Sequence, residues 1–438
     1  PTFVRIDDAY SEWFLKRFGI TLDRRMVLPV QRALQGHPES GRLWEKHINL
    51  ILADPELGFK PTTHERNIYV ATVKGTPVLL SRQVDDFVLA CPNAELAEYI
   101  YRRVGLRLQL PIETAIPFEY YGLATEFNGV DLLQTRHSPK VSCTSYLRRL
   151  LLAHAWSPPS PYERNAGSRP QEPLSPSVIA ELYSSVGPSE GTPEHARLEE
   201  SMGFSYRELL GEMLYAYMTC RPDIGFALIT LAKFSATPSE VHYQRLKGVA
   251  LYLRNTQDWG IHYWRSTPNP SLPLVAPLGS DVTTLESFPA LPTGTTPSQL
   301  IGYVDAAYAN DLRKRRSTTG YAFTLAGGAI AYRSKTQPTT ATSSTEAEFI
   351  AAVAAAKIAK YLRSILAELG FPQTTPTPLY EDNVAAIKMI NASRPTPRSR
   401  HIDIQHFAIQ DWKEAGDIVL LHIPGTNNPS DDLTKALG

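Results

Sequence analysis

QLIGYVDAAYANDLRKRRSTTGYAFTLAGGAIAYRSKTQPTTATSSTEAEFIAAVAAAKIAKYLRSILAELG, residues 299–370, is the stretch that decides the fold. Its opening run, residues 300–305, is apolar enough for a buried strand and delivers one carboxylate, Asp305, at its end. Residues 321–325 and 329–333 are β-rich and split by Gly327-Gly328, which predicts a hairpin and therefore three successive strands. A helix follows at once. Ser343 with Glu346 three residues on has the spacing of a capping box, and Gly370 marks the stop. Residues 347–358 are apolar on nearly every side, which places this helix inside its domain.

Two more acids fall at element ends: Asp382 closes a short strand at 378–381, and Asp431 begins a helix after a strand at 417–423. Strand, hairpin, central helix, strand, helix and strand is the order of the ribonuclease H fold. The phrases YVDAAYA, RRSTTGY, SSTEAEF, YEDNVAAI, RHIDIQHF and DDLTKAL resemble those of copia-type LTR retrotransposon Pol polyproteins, across this whole C-terminal segment. The resemblance implies a catalytic, metal-binding set of Asp305, Glu348, Asp382 and Asp431. Four converging carboxylates would hold two Mg2+ ions, with Mn2+ as a substitute, roughly 4 Å apart for hydrolysis of a phosphodiester.

Two of these acids have competitors. Glu346 and Glu348 lie about 200° apart on a helix and cannot face the same metals; Glu346 has a structural role in the capping box, and Glu348-Phe349-Ile350-Ala351 fits the E-L-x-A pattern of ribonucleases H. Asp382 is favoured over Glu381 because Asp382-Asn383 matches the family phrase. Asp431 and Asp432 both sit in a first helical turn, where acids also suit the dipole; the D-x-L-T-K pattern selects Asp431.

The chain has 438 residues, enough for two or three domains, and its 44 basic and 44 acidic residues cancel. Global charge therefore argues neither for nor against nucleic acid, and any basic surface is local. Cys91, Cys143 and Cys220 are isolated in sequence, without metal or pairing spacing. No signal peptide or long apolar run is present, so the expectation is an intracellular protein without a membrane span. The first residue is Pro1, which reads as a piece of something longer.

Earlier in the chain, QRALQGHPESGRLW at 31–44 precedes a helical pattern and resembles the family's KALYGLKQAPRxW motif, with Glu39 and Pro38 departing from it. A Gly-Pro turn capping an amphipathic helix is the plain alternative. VLLSRQVDDFVLA at 78–90 is two β-rich runs around Asp85-Asp86 and resembles the family's YVDD box, with Gln83 in place of tyrosine. Polymerase palms place such a pair at a hairpin tip, where it holds two metals; Asp-Asp also suits a turn for its own sake. The first palm aspartate of the family is expected upstream of Pro1, because FVRIDDAY at 3–10 has the wrong spacing for it.

Residues 157–177 contain six prolines and 265–299 seven, both reading as linkers, while 204–264 is strongly helical, with starts near Ser205, Pro222 and Ser239. The basic runs Arg313-Lys314-Arg315-Arg316 and 394–400, with Arg394, Arg398 and Arg400, together with Arg42, are candidate nucleic-acid contacts. The reading as a whole is an α+β / α/β multidomain chain. It has a partial palm at 1–142, the start of a thumb at 143–156, a Pro-rich linker at 157–202 and a helical thumb/connection at 203–264. A second linker at 265–298 leads to a ribonuclease H-like mixed-sheet domain at 299–438. The implied function is RNA-directed DNA synthesis, with this palm incomplete, and cleavage of RNA in RNA·DNA hybrids. The partners would be RNA template, DNA primer strand, dNTPs and the upstream Pol polyprotein; the implied place is a cytoplasmic virus-like particle, and the nucleus at integration. The alternatives are a non-catalytic nucleic-acid-binding relic and a ribonuclease H with an inactive palm.

Overall fold

The computed structural model describes residues 3–5, 8–23, 25, 27–29, 37–108, 122–135, 138–156, 172–265, 298–392 and 403–436. The chain divides into two compact units, Pro1–Gly122 and Leu123–Gly438. Among the described residues no helix is long and apolar enough to cross a membrane.

The first unit is built on an antiparallel meander of Lys60–Pro61, Ile68–Val73, Thr76–Gln83 and Asp86–Ala90. Period-two alternation turns Val78, Leu80 and Arg82 of the third strand to the buried face. Helices Ser40–Leu52 and Ala94–Leu108 add Ile48, Leu52, Ile100 and Val104 to the same core, at the three- and four-residue spacing of one helical face. Helix Asp8–Phe18 buries none of its residues.

The second unit begins earlier than the sequence suggests. Strands Glu126–Phe127, Val130–Gln134 and Pro139–Ser142, expected as the end of the palm, form a four-stranded sheet with Gly260–His262 and so belong with the helical region. Helices Thr144–Ala153, Tyr206–Thr219, Gly225–Ala232 and Glu240–Asn255 enclose one core that includes Leu147, Met213, Leu228 and Leu246. Ser205 and Ser239 stand at the N-caps, as the sequence signals indicate.

The linker expected at 157–202 is corrected from residue 172 onward. Pro176–Val178, Ile179–Ser184 and Pro193–Met202 are helical, and Leu174 and Leu182 are buried in the helical core. Pro176 and Pro193 occupy first-turn positions, where a missing N–H costs nothing, so these prolines start helices and do not mark a linker. Residues 157–171 and most of the second expected linker, 266–297, lie outside the described residues. Cys143 and Cys220, isolated in sequence, meet in this core, where a hydrogen bond to the Cys220 sulfur, followed by burial, pushes the Cys143 thiol up.

The C-terminal part carries a five-stranded sheet. Its strands are β1 (Ile301–Ala307), β2 (Thr318–Leu325), β3 (Gly328–Thr336), β4 (Thr377–Glu381) and β5 (Ile418–His422), in spatial order β3-β2-β1-β4-β5. β1, β2 and β3 pair antiparallel, whereas β4 and β5 join parallel. The β2–β3 turn has φ of 52° at Ala326 and 79° at Gly327, the left-handed pair that a two-residue hairpin requires. Helix α1 (Ser344–Glu368) lies on this sheet through Ala347, Ala351, Ala352, Ala355, Ala356 and Ala359, small side chains that permit close approach. Helices α2 (Val384–Asn391) and α3 (Asp403–Glu414) complete the crossover between β4 and β5.

Edge strand β3 is covered by the helical region. Tyr332 Oη donates to Tyr217 O at 2.6 Å, Ser334 N to Tyr217 Oη at 2.7 Å, and Tyr263 Oη to Ala329 O at 2.8 Å. These bonds occupy groups that an open edge would leave unpaired. They also explain why 123–438 is one compact unit and not two separate domains.

Candidate active site

β1 and β2 run side by side with Asp305 opposite Gly320. A Cβ on Gly320 would lie 2.6 Å from Thr434 Cγ2 and 2.9 Å from Ser430 O, so its absence lets the C-terminal turn rest on the sheet next to Asp305. That turn is the short 3-10 helix Asp431–Leu433. Asn428 Nδ2 donates to Val304 O at 2.8 Å, and Thr434 Oγ1 donates to Asp305 Oδ2, which pins the segment to β1. Gly425 similarly makes room for Asp382, whose Oδ2 would lie 2.8 Å from a Cβ there.

Asp305 comes from β1, Glu348 from the first turns of α1, and Asp382 from the residue after β4. One carboxylate oxygen of each lies within 4.8 Å of the others, and among the described residues this is the one such group of three. Asp305 is 1% and Glu348 6% exposed, while Asp382 keeps a solvent-facing side. Burial pushes Asp305 up to about 6, with Thr434 and Lys435 opposing and the charges of Asp431 and Asp382 adding. Burial, then the charges of Glu381, Asp305 and Asp382, push Glu348 far above the usual carboxylate range. Glu348 Oε2 is buried with no hydrogen-bond partner. Asp431 joins the group through Lys435, whose Nζ is 3.0 Å from Asp431 Oδ1 and 3.7 Å from Asp305 Oδ2.

An orphaned carboxylate oxygen beside two more carboxylates costs free energy unless a cation partners it. Hard oxygen donors of this kind suit Mg2+ or Mn2+, so the residues fit the metal that the sequence implies.

Glu346 is engaged elsewhere: its Oε2 accepts from Thr342 N at 2.7 Å and Thr342 Oγ1 at 2.6 Å, while its own N–H donates to Ser343 Oγ at 3.1 Å. Glu381 is completely buried; Oε1 accepts from Asn383 N at 3.1 Å and Oε2 has no partner. Burial first, then Asp382 and Asp305, push it up as well. Sequence reasoning missed Glu381 as a second buried acid, and the signal was its inward position on a strand covered on both faces. It also gave no role to Lys435, although that residue is the lysine of the D-x-L-T-K pattern that selects Asp431.

The basic candidates separate. Asp311 caps its loop by accepting from Arg313 N and Lys314 N, and pairs with Lys233 at 3.5 Å. Arg313 is committed to the helical region: Nη2 donates to Ser185 O at 3.0 Å and the guanidinium lies 5.0 Å from the Phe234 ring. Arg313 is exposed like its neighbours but differs from them in having these partners within the protein. Lys314 and Arg315 are exposed, and Arg316 is half-buried. Arg394, Arg398 and Arg400 lie outside the described residues.

In the first unit, Asp85 and Asp86 are exposed at a hairpin whose Val84 has φ of 56°. Trp44 Nε1 donates to Val84 O at 2.8 Å and Arg82 Nη1 to the same oxygen at 3.1 Å, joining the helix of the 31–44 motif to this tip. Residues 31–36 of that motif lie outside the described residues. Among the described residues no third acid joins Asp85 and Asp86 in a close group. Arg42 is exposed and pairs with Glu39 at 2.5 Å.

The sheet order, its strand directions and the acids on β1, α1 and the end of β4 define a ribonuclease H-like domain attached to a helical region. No family model matches the chain. It is 25% identical over 431 residues to the Retrovirus-related Pol polyprotein from transposon TNT 1-94 of Nicotiana tabacum, covering 96% of this chain and 28% of that protein. It is 25% identical over 411 residues to the Pol polyprotein from transposon RE1 of Arabidopsis thaliana, covering 94% and 24%. Over 157 residues it is 35% identical to Secreted RxLR effector protein 161 of Plasmopara viticola, covering 36% of this chain and 90% of that one. Over nearly its whole length the chain is similar to the Pol polyproteins of copia-type retrotransposons, and it spans about a quarter of the length of those relatives.

Proposed function

We propose that residues 299–438 cleave the RNA strand of an RNA·DNA hybrid, with Asp305, Glu348, Asp382 and Asp431 holding two divalent ions, Mg2+ or Mn2+. The observation that carries this reading is the buried, partnerless Glu348 Oε2 within a group of three carboxylates from three separate elements. Bound there, the ions would supply an activated water and stabilise the leaving oxygen. The chain's part is to hold the acids in place. Thr434 fixes Asp305, and Gln337 Nε2, donating to Ala347 O at 2.9 Å, fixes the start of α1 beneath Glu348. Asp382 is the most open of the three. Lys314, Arg315 and Arg316 would contact phosphates in this reading, and the 2′-hydroxyl would distinguish the strand to be cut.

Residues 1–122 are proposed as part of an RNA-directed DNA polymerase palm, with Asp85 and Asp86 as its metal-binding pair and RNA template, DNA primer and dNTPs as its ligands. The support is the Trp44–Val84 bond, which makes two motifs far apart in sequence one local structure.

The test is incubation of the full chain with labelled RNA·DNA hybrid, duplex DNA and duplex RNA in Mg2+. Cleavage confined to the RNA of the hybrid, and abolished by Asp382→Asn, is the expected result. Binding of hybrid without metal-dependent cleavage would favour the non-catalytic relic.

A further inference from the structure

We infer that Lys435 is a tethered cation standing in the second of the two ion positions, between Asp305 and Asp431, and that the second divalent ion binds only by displacing it. The inference rests on the proposed two-ion reading and refines it. Among the described residues, Lys435 is the one cation within ion-pair distance of Asp305, Glu348, Asp382 or Asp431. Its Nζ bridges two carboxylates from opposite ends of the domain, at 3.0 Å from Asp431 Oδ1 and 3.7 Å from Asp305 Oδ2. Thr434 bonds to the same Oδ2, so both contacts fall on one oxygen of Asp305.

The backbone beneath Lys435 is fixed, because its N–H donates to Asp431 O at 3.0 Å. The side chain itself is 51% exposed, so the ammonium has a path to water that requires no unfolding. A compact, mobile charge on a flexible stem is suited to such exchange. The two ion positions are therefore unequal. The group of three is open to an ion, whereas the Asp305–Asp431 position must first lose a bound cation.

Mn2+ titration of the full chain, read by electron paramagnetic resonance, tests this together with acetylation of Lys435 by N-acetoxysuccinimide, read by mass spectrometry. The unaltered chain should bind one Mn2+ tightly and one weakly. Lys435→Met should tighten the weak step about tenfold and leave the tight step nearly unchanged. In the unaltered chain, acetylation of Lys435 should rise as the weak site fills and not as the tight site fills, a readout that a purely structural lysine would not move and that survives if the variant misfolds. A weak step unchanged by Lys435→Met, or acetylation indifferent to Mn2+, overturns the inference. Asp382→Asn separates the two levels. If it loses the tight ion while Lys435 behaves as a bystander, only this inference fails; if it binds Mn2+ as the unaltered chain does, the two-ion reading fails and takes the inference with it.

Discussion

Thr434 Oγ1 donates a hydrogen bond to Asp305 Oδ2, joining the C-terminal turn to the first strand of the sheet across 129 positions of sequence. The contact depends on Gly320, where any Cβ would meet Thr434 Cγ2, Ser430 O and Leu433 Cβ within 3.0 Å. Gly320→Ala should push the turn off the sheet, with an overpacking cost of about 1–3 kcal/mol. A lowered urea midpoint together with weaker Mg2+ binding is the expected outcome, since Asp431 moves with the turn. An unchanged midpoint would mean that the turn is not seated against Gly320.

The clustered acids give stability a characteristic pH dependence. Asp305 is pushed up to about 6 from an ordinary 3.8, with burial as the main cause, and Glu348 and Glu381 are pushed in the same direction. The folded chain thus keeps protons that the unfolded chain has released, so this contribution is fully present below about pH 4 and is lost as pH rises through about 6 and beyond. Divalent ions bind the deprotonated acids and reverse the loss. Thermal unfolding should show Mg2+ raising Tm at about pH 8 and barely changing it at about pH 5. Equal shifts at both would contradict the assignment of these acids as the metal site.

Leu182 is completely buried in the helical core. Leu182→Ala should therefore destabilise the chain by about 2–4 kcal/mol in chemical denaturation. A residue in a loose linker would change stability by no more than about 0.5 kcal/mol.

The acids were legible because the apolar runs of β1 and β4 lead to Asp305 and Glu381-Asp382, although β1 continues two residues past Asp305 to Ala307 and does not end there, and because Ser343 marks the start of α1 so plainly that the angular argument separates Glu346 from Glu348. The hairpin was legible from Gly327. What the sequence hid is mostly tertiary. Pro176 and Pro193 carry no local mark telling a helix start from a linker, and only the burial of Leu174 and Leu182 decides between them. Strands 126–142 look like a continuation of the palm until their pairing with Gly260–His262 is seen. Arg313 looks like its neighbours in sequence, yet Phe234 and Ser185 hold it against the protein.

That separation within the basic loop has a measurable consequence. Neutralising Arg315 and Arg316 should weaken hybrid binding and reduce the salt slope by about one unit for each phosphate left without its arginine, and Tm should hardly move. Arg313→Ala should do the opposite, lowering Tm because the Ser185 bond and the packing on Phe234 are gone, while the salt slope stays the same. Filter binding across a salt series, paired with thermal melts, distinguishes them. An Arg313 variant with a reduced slope and normal Tm would put that residue back on the nucleic acid.

The central claim is that the buried acids of β1, α1 and the end of β4 exist to bind divalent metal. Glu348→Gln tests it most directly, because it preserves shape, removes one charge and leaves Asp305, Asp382 and the helix cap untouched. Calorimetric titration of the full chain with Mg2+ should show binding that the variant weakens by at least about tenfold. Equal Mg2+ affinity in the variant and the unaltered chain would contradict the account.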